Sequence, residues 1–152
     1  MSSSQKVSVD EVAVDTSILV GANSLLTTPP RPGSKFQRRL NLLSRIRSGD
    51  VAVLISKRLL QEYRTTIPRP RNDFVVAFFK AVVDSTNAIS NYAPWPGGDR
   101  SRARKCRYPQ HDDHVLRTAW RDRPTTIVTE DGPMLRAGEC IFREFRVRIQ
   151  EV

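Results

Sequence analysis

The chain is predicted to be an α/β domain around a mostly parallel sheet. Three observations lead there. Short β-type runs alternate with helical patterns from one end to the other. No segment repeats another, which excludes a solenoid or propeller. The 152 residues suit one domain, large enough to bury a core without staples.

Taken in order, the polar start MSSSQKVSVDE is read as a flexible segment over 1–10 with neither a leader nor a membrane span. Val12, Ala13 and Val14 form a buried strand that stops at Asp15, and the stretch that follows, through Thr27-Thr28-Pro29-Pro30-Arg31-Pro32-Gly33, is a long proline-rich connection. A helix begins near Ser34 and turns Phe36, Leu40, Leu43 and Ile46 or Arg47 inward until Gly49 ends it. Val51 to Ile55 is a second buried strand, Ser56 caps a helix from Lys57 to Ile67, and Pro68 and Pro70 stop it. A helix from about Asn72 to Ser85 buries Phe74, Ala77, Phe78, Ala81 and Val82, and Ala88 to Tyr92 is a short strand. Asp112 to about Arg121 is helical, Thr125 to Thr129 is a strand, Pro133 opens a brief helix, and Phe145 to Ile149 is a last, edge strand.

A formal charge of +9 and a pI near 10.4 favour a polyanionic partner, nucleic acid first, over neutral metabolites. The competing reading is a solvated basic surface. Two blocks carry the charge: Arg31, Lys35, Arg38, Arg39, Arg45 and Arg47 with no acid between them, and Arg100, Arg102, Arg104, Lys105 and Arg107 in what reads as a loop after Trp95-Pro96-Gly97-Gly98. Cys106 and Cys140 lie far apart without a C-x-x-C spacing, so neither a zinc finger nor a disulfide framework is indicated, and a reducing, cytoplasmic setting is expected.

The stretch RYPQHDDHVL, Arg107 to Leu116, suggests a zinc site, with His111 and His114 flanking Asp112 and Asp113. Helical geometry disperses it. With Asp112 as origin, Val115, Leu116, Ala119 and Trp120 average to within roughly 10° of its direction, at about 100° per residue. Asp112 therefore points with the apolar face, Asp113 is rotated by about 100°, and both histidines fall on the flank or outer side. An inward carboxylate is costly unless it is protonated, paired or bound to a cation. Asp15 and Asp131 each follow a strand, where ligands gather in open parallel sheets, and Glu62 borders the apolar stripe Leu59, Leu60, Tyr63 and Ile67. Each acid has a plainer role open to it: a helix cap for Asp112, a local turn for Asp15 and Asp131, an arginine pair for Glu62.

Four segments taken together, VAVDTSILV around Asp15, LISKRLLQEYRTTIPRPR around Glu62, HDDHVLRTA around Asp112 and TIVTEDGPML around Asp131, resemble the acidic motifs of the PIN-domain nucleases. The resemblance spans about Val12 to Val147 and is strongest to the VapC-like, toxin-type ribonucleases. It implies a three-layer α/β/α, PIN-like fold with a four- to five-stranded sheet, and hydrolysis of RNA with Mg²⁺ or Mn²⁺. It makes Asp15, Glu62, Asp112 and Asp131 the catalytic, metal-binding quartet, with Asp113 as a substitute for Asp112. Thr16, Ser17 and Thr129 become hydroxyls that orient them. Toxin-type relatives pair as homodimers and are held by an antitoxin protein, so both are implied as partners beside the RNA.

Oxygen donors suit Mg²⁺ or Mn²⁺, and Asp15, Asp112 and Asp131 are assigned to a first ion, Glu62 to a second. Arg38, Arg39, Arg100, Arg102, Arg104, Lys105 and Arg107 are expected to follow the RNA backbone, while Trp95, Tyr92 and Tyr108 either stack a base or simply pack. Glu130 departs from the small residue common in the family and is expected to crowd or enrich the cation site. The chief rival is a catalytically inactive PIN-like RNA-binding module. A phosphatase or nucleotide-binding domain ranks lower, because no D-x-D-x-T, G-x-G-x-x-G or P-loop follows a strand.

Overall fold

A computed structural model describes residues 10–26, 28–84, 95 and 97–152. Four strands, β1 (Asp10–Val14), β2 (Val51–Val53), β3 (Thr125–Val128) and β4 (Val147–Gln150), form one all-parallel sheet in the order β2-β1-β3-β4. Helices lie on both faces of this α/β/α domain. Register aligns Ala13, Ile127 and Ile149 in one apolar row and sets Val12 between Val53 and Thr126. Parallel strands covered on both faces tend to read as apolar runs, and β1 and β3 end in them, as Val12-Ala13-Val14 and Ile127-Val128.

Helix α2 (Lys35–Ser48) has the predicted boundaries. Ser34 accepts a hydrogen bond from the Gln37 amide at 3.1 Å, and Gly49 takes the left-handed conformation, φ 85°, that closes it. Its buried stripe is Leu40, Leu42, Leu43 and Ile46, and Arg47 is exposed. Helix α3 (Lys57–Thr66) is capped by Ser56, whose hydroxyl also meets Thr118 at 2.7 Å. The segment after Asn72 is helical as expected, but only α4 (Asp73–Phe78) is regular, and Phe79–Val83 widens into a π-helical turn. That turn shifts the buried face to Val75, Phe78, Phe79, Val82 and Val83, so Ala81 is exposed and Phe74 and Ala77 are half-buried instead of inward.

Three helices replace expected loop or unassigned chain. Helix α1 (Thr16–Ala22) occupies the start of the connection after β1. Its TSILVGA sequence is short and β-branched, and burial of Ile18, Leu19 and Ala22 overrides propensity. Helix α5 (Gly97–Lys105) takes up most of the second basic block, which reads as loop because its buried stripe is reduced to Ala103. The third is α8 (Gly138–Phe145), which packs on β4, whereas α6 (Asp113–Ala119) and, after β3, α7 (Gly132–Arg136) lie where helices were expected. The expected strand Ala88 to Tyr92 lies outside the described residues, as does most of the 1–10 segment, whose last residue, Asp10, begins β1.

Cys106, after α5, and Cys140, in α8, form a disulfide with Cα atoms 5.4 Å apart. This corrects the expectation of unpaired, reduced thiols: residues 34 positions apart meet because α5 lies across α8. Arg102 on α5 holds Glu144 on α8 at 3.1 Å and sits over the Phe145 ring. Among the described residues no helix is long and apolar enough to cross a membrane.

Candidate functional site

The carboxyl ends of β1 and β3 bring Asp15 and Asp131 to the same edge of the sheet, joined by the Asp15 amide donating to Val128 O at 2.9 Å. Asp15 is buried. It precedes α1 but does not cap it; its Oδ2 accepts from the hydroxyls of Ser17 at 2.6 Å and Thr129 at 2.8 Å. The local bond from Ser17 fits the turn role, and the bond from Thr129 adds a long-range partner to it. Thr129 also accepts the Asp131 amide at 3.0 Å, and Ser17 accepts the Glu130 amide at 3.1 Å. One small hydroxyl cluster thus fixes the loop after β3 against the start of α1. Asp131 does cap its helix, accepting the Met134 amide on Oδ2 at 3.1 Å.

Asp112 ends a 3₁₀ turn, Gln110–Asp112, and its side chain caps nothing. The Tyr108 hydroxyl donates to its carbonyl oxygen at 2.8 Å, and its Oδ2 lies 3.2 Å from His111 Nε2. Burial, and after it the negative charge of Asp15, raises the Asp112 carboxyl to about 6; Asp131 adds to the rise, and the two histidines oppose it. The charges of Asp15 and Asp131, distant in sequence, thus reach Asp112. Asp113 is held elsewhere, by Arg104.

Glu62, on α3, has both oxygens engaged: Thr16 donates to Oε1, and His114 Nε2 stands 2.8 Å from Oε2 at an angle short of a formed hydrogen bond. Burial raises its carboxyl, but contact with His114 and Thr16 outweighs this and the net shift is downward.

His114 corrects the expectation that both histidines lie on the flank or outer side: His111 is 81% exposed, whereas His114 is 8% exposed. The helical wheel fails there for two reasons. Asp112, its origin, is not helical, with φ −105° and ψ 10°. Moreover, α6 is covered twice, by the sheet through residues such as Val115 and Leu116 and by α3 through His114 and Thr118. The i, i+4 spacing of His114 and Thr118 was the available signal for this second face.

The expected RNA-contacting cations divide. Arg39 makes a two-pronged pair with Glu130, so Glu130 turns to α2 and does not crowd the carboxylates. That approach needs Gly21, where a Cβ would stand 2.7 Å from Arg39 Nε. Arg38 donates to Gly33 O and Val152 O, Arg102 binds Asp99 and Glu144, and Arg104 binds Asp113. Arg100, Lys105 and Arg107 are exposed. The aromatics pack: Trp95 is buried and stacked on Phe145 at 5.9 Å, Tyr108 is buried, and Tyr92 lies outside the described residues. Burial leaves Trp95 and Tyr108 no face for a base.

Among the described residues no three His, Cys, Asp or Glu side chains are gathered closely enough to hold a metal ion as they stand. The donor chemistry nevertheless fits a hard cation. Asp15, Asp112 and Asp131 each have Oδ2 engaged by a protein group and no described partner on Oδ1, so each keeps an oriented oxygen to offer. No protein-family model, curated protein or solved structure matches this chain.

Proposed function

We propose that the protein is a Mg²⁺- or Mn²⁺-dependent endoribonuclease of the PIN-domain kind, similar to the toxins of toxin/antitoxin pairs. The observation that carries this reading is that Asp112 is raised to about 6 by burial and by the charges of Asp15 and Asp131, which follow neighbouring strands. Clustered acids at the cost of charge repulsion are the mark of a cation site. Asp15, Asp112 and Asp131 would hold the ion. When bound, the ion would stabilise charge on the phosphoryl and leaving oxygens and ease ionisation of the attacking water.

The chain's own groups do the remaining work. Ser17 and Thr129 hold Asp15 in place, and Thr129 fixes the amide of Asp131. Glu62 is tied to Thr16, the residue after Asp15, and to His114. Arg100, Lys105 and Arg107, exposed near Asp112 in sequence, suit a phosphate backbone. The antitoxin and homodimer belong to the same proposal and rest on the resemblance alone.

Incubating a single-stranded RNA with wild type, Asp112→Asn and Asp113→Asn in Mg²⁺ or Mn²⁺ tests the reading. Cleavage should fall by on the order of a hundredfold or more in Asp112→Asn, the scale of losing a group that stabilises transition-state charge. It should survive in Asp113→Asn, whose carboxylate is committed to Arg104. RNA binding without cleavage by wild type would instead establish the inactive binding module.

A further inference from the structure

A second cluster of charge lies away from the carboxylates, in the turn Ile67-Pro68-Arg69-Pro70-Arg71 and the π-helical segment it covers. A hollow of about 280 Å³ there is bordered by Arg69, Arg71 and Lys80, with Asp84 the one acid on its rim among the described residues. Its apolar floor is Pro70, Val76 and Phe79. Arg71 is held rigidly: its guanidinium lies 3.8 Å above the Phe79 ring centroid, and Nη2 donates to Ile67 O at 3.0 Å. Its Nε is buried with no hydrogen-bond partner among the described residues. Arg69 and Lys80 are exposed and have no ion-pair partner among the described residues.

Such an arrangement is unfavourable in isolation. Burial first, and then the positive charge of Arg69, lower the Arg71 guanidinium, with Asp84 only partly compensating. Like charges around a concave surface raise the local potential, and an entering oxyanion relieves it. A planar guanidinium fixed by stacking and by one backbone bond has little freedom left to lose and presents its remaining N–H groups in the fork geometry that matches phosphate.

The turn is also fixed relative to the acidic cluster. The Asn23 side chain, just beyond α1, donates to Pro68 O at 3.0 Å and accepts the Asn72 amide at 3.0 Å; the Asn72 side chain donates to Ala22 O and Ser24 O. Helix α1 starts directly after Asp15 and is seven residues long, about 10 Å at 1.5 Å per residue. The basic hollow is therefore anchored to the far end of the same short helix that leaves the carboxylates, a spacing that a few nucleotides of extended single strand cover.

We propose that Arg69, Arg71 and Lys80 form a phosphate subsite for the backbone of single-stranded RNA, remote from the bond to be cut. The proposal rests on the ribonuclease reading. It adds residues outside the two basic blocks of the sequence, and it makes the length of RNA gripped exceed what the carboxylate cluster reaches.

The test measures binding of a short fluorescent single-stranded RNA by anisotropy in EDTA, with the Asp15→Asn chain as parent so that nothing is cut. Arg69→Ala with Lys80→Ala removes two exposed cations and should weaken binding at least tenfold. It should also reduce the salt slope by about 0.7 for each phosphate no longer neutralised. Arg71→Lys keeps the charge but not the fork, and should weaken binding several-fold with an unchanged slope. Melting curves confirm that each variant is folded. Unchanged affinity and slope in the double variant overturn the subsite alone, whereas a parent that binds no RNA overturns it together with the ribonuclease reading. A separate titration with inorganic phosphate distinguishes the source: capture of phosphate that these substitutions abolish while RNA binding stays intact assigns the hollow to a free anion and also overturns the proposal.

Discussion

Replacing Asp112 by Asn should make the protein more stable at neutral pH. The Asp112 carboxyl titrates at about 6 in the fold against an ordinary value of 3.8, so folding opposes its ionisation. The sign follows. The contribution of the protonated side chain is fully present below 3.8 and is lost as pH rises through 6. That displacement corresponds to about 3 kcal/mol at 1.36 kcal/mol per pH unit. The carboxylate is partly open to solvent, and screening reduces the expected effect to about 1–2 kcal/mol. An asparagine of the same shape carries no charge for Asp15 and Asp131 to repel, so metal-free urea denaturation at pH 8 should show Asp112→Asn more stable than wild type by that amount. The gain should shrink between pH 6 and pH 4 as the wild-type carboxyl takes up its proton. A variant no more stable than wild type at pH 8, or one with an equal gain at pH 4, would refute the electrostatic account of the cluster. The same cause expects Asp15→Asn to lower the Asp112 carboxyl back toward its ordinary value, read by carboxyl carbon titration.

Mn²⁺ at a hundredfold excess over its dissociation constant should stabilise wild type by about 2.7 kcal/mol, and Asp15→Asn should lose that gain; thermal melts with and without the ion decide it. Thr129→Val removes the donor to Asp15 and the acceptor for the Asp131 amide, and should cost about 1–3 kcal/mol in urea denaturation. Reduction of the Cys106–Cys140 disulfide should lower stability by at most about 4 kcal/mol, from closure of a loop of 34 residues, measured by melts with and without a phosphine reductant.

The sheet was legible in the sequence because parallel strands announce themselves by composition. VAV before Asp15 and TTIV before Thr129 are short, apolar and bounded by turn residues. Helix α2 was legible for a local reason as well, since Ser34 and Gly49 sit at its two ends. Helix α1 was not, because TSILVGA is helical only by virtue of what α2 and α3 bury against it. Helix α5 was hidden by charge: its fold-determining contacts are the disulfide and the reach of Arg102 across α8, and neither leaves a periodic trace.

At the candidate site the four acids could be named from their positions after strands and on helices, but their couplings could not. That Glu62 belongs with His114, Arg39 with Glu130 and Arg104 with Asp113 depends on helix-to-helix placement. Spacing along one helix is silent about which neighbour covers its second face.

The covalent link between Cys106 and Cys140 encircles Asp112, His114, β3 and Asp131 within one closed ring of backbone. The exposed turn Asp122-Arg123-Pro124 lies inside that ring. A protease that nicks the chain there would leave both fragments tethered, with Asp131 parted from the other three carboxylates by the cut yet still on one molecule. Only a reductant could then separate them.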